Sequence, residues 1–162
     1  MTKTELRGLV EAPYYPGMDK AHGDITRAWL LKHGSDYDRA EFNLRLGEGM
    51  ATGVTLEEAW RRMAVMNSQK RIDMVLWRGD ATTIVEVKRY LEMRAVGQLI
   101  GYRALWQSTF PESPAPTLLA VGERLDTDVA HIFRDQGIDV EVIKPLPWAA
   151  AGASPAERQA AT

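Results

Sequence analysis

Asp73, Glu86 and Lys88 are the residues through which this chain could do chemistry. They lie in the run RIDMVLWRGDATTIVEVKRY, residues 71–90. Its two halves, Ile72–Trp77 and Thr83–Lys88, are short, apolar and β-branched, as strands are. Between them, Arg78-Gly79-Asp80-Ala81 predicts a two-residue hairpin loop led by glycine, the order that suits a type II′ turn. Counting outward from that turn places Asp73 opposite Glu86. Directly opposed side chains on one face have Cβ atoms about 4.5–5.5 Å apart. Two carboxylates at that range repel unless one keeps a proton or a cation lies between them. Lys88 is two residues beyond Glu86 and shares its face. On an exposed strand such residues are an ordinary charge pattern. Here the flanking Ile, Val, Leu and Met make both strands read as central and buried, where charge is costly unless paired or metal-bound.

The elements that must position this patch follow from local patterns. Residues 2–10 predict a short helix, broken by Ala12-Pro13-Tyr14-Tyr15-Pro16-Gly17. A helix is expected over Asp24–His33, with Ile25, Ala28 and Trp29 on one side and Gly34 as its stop. Glu41–Leu46 alternates as a half-buried strand does. Residues 47–53 are glycine-rich but lack the Gly-Lys-Ser/Thr ending of a phosphate-binding loop, so they read as a connector. Thr55 and Glu58 form a capping-box pair at the start of a helix running to about Asn67. Leu56, Ala59, Trp60, Met63 and Met66 are its expected inward stripe, read as packing. After the hairpin, Glu92–Gln107 predicts a strong helix, with Val96, Leu99 and Ile100 as its apolar side. Gln98 and Tyr102 are four apart on one face, and Arg94 lies one turn earlier. Thr117–Gly122 reads as a buried strand, 126–136 as a helix and Ile138–Ile143 as a last strand. The order implies helices over a mixed sheet, with parallel strands after the crossovers. Residues 1–148 form one domain on this reading, and 149–162 are an Ala-rich peripheral tail.

Composition bounds the possibilities. The chain has 162 residues, 45% hydrophobic and 26% charged, as one soluble globular domain would. No apolar run approaches a membrane span, and the N-terminus has no apolar secretory segment, so a cytoplasmic location is expected. With no cysteine, disulfides and thiolate metal sites are excluded. The net charge of −2 does not advertise a nucleic-acid binder, although basic residues cluster locally around Arg61, Arg62, Lys70 and Arg71 and around Lys88, Arg89 and Arg94. His22, His33 and His131 are scattered without ligand spacing, and nothing supports a Ser-His-Asp arrangement.

Taken together, Asp73, Glu86-Val87-Lys88 and Gln98-Leu99-Ile100-Gly101-Tyr102 resemble the PD-(D/E)XK nuclease superfamily. The Gln-to-Tyr run is similar to a motif of its RecB-like branch. The order of elements from Asp24 to Val121 resembles that family's restriction-endonuclease-like αβββαβ core, with residues 55–67 inserted between the first two core strands. Ile72 stands where the family often has proline. For the family's acid in the first core helix, Asp24 is the best match and Glu41 the next. The resemblance implies Mg²⁺ or Mn²⁺ held by Asp73, Glu86 and the Val87 backbone carbonyl, with Asp24 as a further candidate. It implies that Lys88 orients the attacking water or stabilises charge on the phosphorane, and that Gln98 and Tyr102 line the site from the helix. Arg89, Arg94, Lys70 and Arg71 would contact phosphates. The expected activity is hydrolysis of DNA in repair, recombination or viral or mobile-element processing. A dimer or larger assembly would be needed to cut both strands of a duplex, and the location would be the host cytoplasm or the virion if the source is viral. The alternative is a catalytically silent chain of the same fold, serving as a structural or nucleic-acid-binding component of an assembly.

Overall fold

A computed structural model describes residue 6 and residues 8–49 and 58–147. In chain order the elements are α1 (Lys20–His33), a 3-10 turn (Gly34–Asp36), β1 (Arg39–Leu46), α2 (Glu58–Ser68), β2 (Lys70–Arg78) and β3 (Ala81–Leu91). Then follow α3 (Met93–Thr109), β4 (Thr117–Leu125), α4 (Ala130–Asp135) and β5 (Ile138–Val142). The strands form one five-stranded sheet in the order β1-β2-β3-β4-β5. β1, β2 and β3 are antiparallel neighbours, and β3, β4 and β5 run parallel. This is the αβββαβ arrangement with an inserted helix that the sequence implies, extended by α4 and β5. Among the described residues no helix is long and apolar enough to cross a membrane.

The sheet has a core on each face. Ile25, Trp29 and Leu30 of α1 pack over Met74, Leu76, Val85, Val87 and Val121, together with Leu6 and Tyr15. On the opposite face, Val96, Leu99, Tyr102 and Trp106 of α3 and Phe133 of α4 cover Val75, Ile84, Leu118 and Ala120. Both parallel crossovers thus use one face, as two connections of the same hand stepping in one direction across a sheet must. The apolar runs of β3 and β4 are continuous because both faces are covered.

The hairpin has the expected loop. Arg78 pairs with Ala81, and Gly79 has φ +55°, a backbone conformation that glycine takes without steric cost.

Two expectations fail. Helix α1 begins at Lys20, four residues before Asp24, because Asp19 caps it by accepting from the His22 backbone N–H. In α2, Trp60, Met63 and Met66 are 58%, 50% and 49% exposed, so that stripe faces outward. Polar links hold this region instead: Arg45 donates to the Met66 carbonyl, and Gln69 Nε2 donates to the Gly47 carbonyl at 2.7 Å. The proposed cap Thr55, with Leu56, lies outside the described residues, as do residues 148–162.

Candidate active site

The site forms where the β2–β3 ladder opens. Cross-strand pairing runs from Arg78↔Ala81 to Met74↔Val85 and stops there. On the other side of β2, the β1 ladder pairs Phe42 with Met74 and Leu44 with Ile72, and skips residue 73. Its opposite number, Asn43, has φ +57°. Asp73 is therefore absent from both ladders, so the direct Asp73–Glu86 ladder pair expected from the turn is not made. Side-chain alternation also breaks here. Val75 belongs to one core and Met74 and Leu76 to the other, yet Ile72 joins Val75. The distortion turns the Asp73 carboxylate into the gap, where its Oδ2 accepts from Val87 N–H at 2.9 Å. A strand residue that uses both backbone groups directs them to the same neighbour. Regular strand geometry at Val87 would turn its carbonyl toward the same gap as the Asp73 carboxylate.

Glu86 is fully buried, and neither of its carboxylate oxygens has a hydrogen-bond partner. Lys88 Nζ lies 2.5 Å from Oε1, an ion-pair contact without hydrogen-bond alignment. Burial, then the nearby Asp73 charge, push the Glu86 carboxyl up to about 7, and the Lys88 ammonium and then the Tyr102 hydroxyl oppose them. Asp73 is also raised, mainly by burial, against the lowering effects of the Val87 N–H and Lys88. An acid this well buried with unsatisfied oxygens is costly. A hard cation between Asp73 and Glu86 would remove that cost, and the oxygen-rich donor set suits Mg²⁺ or Mn²⁺. The described residues contain no group of three or more His, Cys, Asp or Glu gathered for a metal. Any such ion would rest on two carboxylates, the Val87 carbonyl and water.

Helix α3 seals one side. Tyr102 donates its hydroxyl to the Arg71 carbonyl at 2.8 Å and accepts from Gln98 Nε2 at 3.2 Å. Burial, then the charge on Glu86, raise the Tyr102 pKa, so the phenol stays a donor. Gln98 Oε1 is buried without a partner. The four-residue spacing thus brings Gln98 and Tyr102 to the start of β2, beside the two acids.

The end of α1 also faces the site. The charges of His22 and Asp19 both act on Asp73, the first lowering and the second raising its pKa. His22 Nδ1 lies 2.7 Å from Asp19 Oδ1. Both residues precede Asp24, where the sequence pattern predicts the helix to start; the N-cap residue type at Asp19 is the local signal for them. Asp24 itself is committed elsewhere. Lys20 Nζ holds its Oδ2 at 2.7 Å, and Arg27 holds its Oδ1 at 3.0 Å. Glu41 is exposed on β1 and lines a separate cleft. Of the basic residues, Lys70, Arg71, Arg89 and Arg94 are all exposed. Arg89 pairs with Glu123 at 3.5 Å.

No protein-family model matches the chain, and no curated protein matches it. Among solved structures, it is similar to a repair endonuclease from Pyrococcus abyssi, at 17% identity over 46% of this chain and 33% of that one, with a TM-score of 0.41. It is also similar to EndoMS in the EndoMS-dsDNA2 complex, at 14% identity over 83% of this chain and 49% of that one, with a TM-score of 0.47. The apo form of EndoMS aligns at 14% identity over 80% of this chain and 48% of that one, again with a TM-score of 0.47. The chain thus spans less than half the length of each of these structures.

Proposed function

We propose that the chain is a metal-dependent nuclease that hydrolyses DNA phosphodiester bonds. The observation that carries this reading is Glu86: a fully buried carboxylate with no hydrogen-bond partner, with Lys88 at 2.5 Å and Asp73 across the opened ladder. A folding role alone gives no reason to bury an acid in that state.

Asp73, Glu86 and the Val87 carbonyl would hold Mg²⁺ or Mn²⁺. The bound ion would supply an acidified water and neutralise charge on the phosphate. Asp73 is fixed for this by the Val87 N–H. Glu86 needs to ionise, and a neighbouring cation favours that. Lys88 is a point charge beside Glu86, placed to stabilise negative charge on the phosphorane without itself losing a proton. Tyr102 ties α3 to the start of β2 and leaves Gln98 Oε1 free to orient water or the nucleic-acid backbone. Lys70, Arg71 and Arg94 provide exposed cations for the flanking phosphates. The test is incubation of linear, circular, nicked and branched DNA with Mg²⁺ or Mn²⁺. Cleavage is expected for the wild type and not for Asp73→Ala or Lys88→Ala. Equal cleavage by both variants would reject the assignment.

A second reading keeps the fold without the chemistry, as a component of an assembly. The outward Trp60, Met63 and Met66 and the net charge of −2 favour it. Calorimetric titration with Mg²⁺ separates the two: no binding, with Asp73→Ala indistinguishable from wild type, selects the silent form.

A further inference from the structure

Asn43, within β1, has φ +57° and is the only residue besides glycines with positive φ among the described residues. Left-handed backbone is disfavoured for every side chain, least for Asn and Asp, and it does not occur in a regular strand. Strain of this kind persists only where the surroundings fix it, and it gathers at functional sites. Its effect is visible in the packing. In a regular strand Ala40, Phe42, Leu44 and Leu46 would share one face. Here Ala40 and Phe42 join the core under α1, whereas Leu44 and Leu46 join the core under α3. Strand β2 changes face at the same rung, with Met74 on the α1 side and Ile72 on the α3 side. Pairing keeps one register through the change, Phe42↔Met74 before it and Leu44↔Ile72 after it. No residue is inserted, so this is not a bulge. The inversion is confined to the rung of Asn43 and Asp73.

A close contact braces that rung. Gly17, two residues before the cap of α1, approaches so near that a Cβ there would lie 2.6 Å from Asn43 Oδ1 and 3.0 Å from Asn43 Cβ. Gly17 is exposed and has φ +78°, so the approach and the backbone require glycine, and burial does not. Tyr15 anchors the same loop on β1, with its ring centroid 5.1 Å from that of Phe42. The segment leading into α1 is thus packed against the strained residue.

The consequence falls on Asp73. In a continuous ladder its side chain would project from one face of the sheet. At the inverted rung its Oδ2 instead accepts from Val87 N–H on the neighbouring strand, at 2.9 Å. We propose that Asn43 is a positioning residue: its left-handed backbone, braced by Gly17, keeps the rung open and aims the Asp73 carboxylate between β2 and β3. A role in metal binding and cleavage rests on the nuclease reading; the aim of the carboxylate does not. A role confined to core packing would change stability and leave the Asp73–Val87 bond of the folded protein intact.

The test combines metal-free ¹H–¹⁵N spectra with calorimetric titration of Mn²⁺, on full chains shown by melting to be folded. The Val87 amide resonance reports the bond from Asp73, and Asp73→Ala marks its position without that bond. Asn43→Val puts a β-branched side chain where φ is positive. It should move the Val87 resonance toward the Asp73→Ala position and weaken Mn²⁺ binding about tenfold. Asn43→Gly takes the same backbone without strain. It should restore the wild-type resonance and hold Mn²⁺ within about threefold of wild type. Gly17→Ala should act as Asn43→Val does, and it decides the matter if Asn43→Val does not fold. A wild-type Val87 resonance in the folded Asn43→Val or Gly17→Ala protein, or equal displacement in Asn43→Val and Asn43→Gly, would overturn the proposal. Absence of Mn²⁺ binding by the wild type would instead reject the nuclease reading, and the Val87 resonance would still decide the role of Asn43.

Discussion

Arg27–Asp24 and Lys88–Glu86 are both ion pairs drawn out of water, one on each side of the sheet, and their polar atoms are satisfied very differently. Arg27, 4% exposed, donates to Asp24 and to the carbonyls of Val10, Ala12 and Leu146. Asp24 has both oxygens engaged, and its backbone carbonyl accepts from Leu146 N–H at 2.9 Å. That cluster is complete in itself and ties two distant segments to α1. Glu86 has no well-aligned hydrogen bond on either oxygen; its neighbours are the Lys88 ammonium at 2.5 Å and the Tyr102 hydroxyl, whose proton goes to the Arg71 carbonyl. A complete buried cluster is explained by folding. An incomplete one points to something the chain has yet to bind.

The largest effect expected from this contrast is on activity. Lys88→Ala and Asp73→Asn should each lower DNA cleavage by about 10²–10³-fold or more while the melting temperature stays within a few degrees. Gel assays and calorimetric melts on the same preparations check both halves. Arg27→Ala should do the reverse. It strips Asp24 Oδ1 and three carbonyls of their buried donor, leaving Asp24 only Lys20, and should cost about 3–5 kcal/mol of stability, read by urea unfolding. Cleavage per folded molecule should be retained. If Arg27→Ala abolished cleavage without loss of stability, the division between the two clusters would fail.

A pH effect of middle size follows from Glu86. Its folded pKa of about 7 lies above its ordinary value of 4.5, so folding favours the protonated acid. That contribution is full below pH 4.5 and is lost as the pH rises through about 7. Without metal, the wild type should lose about 2–3 kcal/mol relative to Glu86→Gln across that window. Parallel pH–stability curves for the two proteins would remove Glu86 as the cause.

The smallest effect concerns the backbone behind the site. A Cβ at Gly122 would sit 2.6 Å from Leu91 Cγ and 2.9 Å from the Lys88 carbonyl. Gly122→Ala should cost about 1–3 kcal/mol and displace the Lys88 end of β3. A lower melting temperature with a reduced cleavage rate would sharpen the link between that packing and the site.

The hairpin and α3 were readable because their signals are local: β-branched runs, a Gly-led turn and a four-residue Gln–Tyr spacing. The first-helix acid was not. Asp24 is claimed by Arg27, whose other partners lie 15 to 119 residues away, beyond any local pattern. Asp19 caps the helix one turn before its apolar pattern begins, and its residue type is the local sign of that. The break at Asp73 was also hidden, since a register counted from the turn assumes that the ladder continues. The outward face of α2 shows the limit of periodicity. Spacing identifies an apolar stripe and does not say whether anything within the chain covers it.

The most direct measurement is a calorimetric titration of Mn²⁺ into the wild type and Glu86→Gln at pH 8. At that pH the Glu86 carboxyl is largely ionised. A binding event is expected in the wild type and its loss in a Glu86→Gln protein shown by its melt to be folded. Absence of binding in the wild type, or equal binding in both, would contradict it.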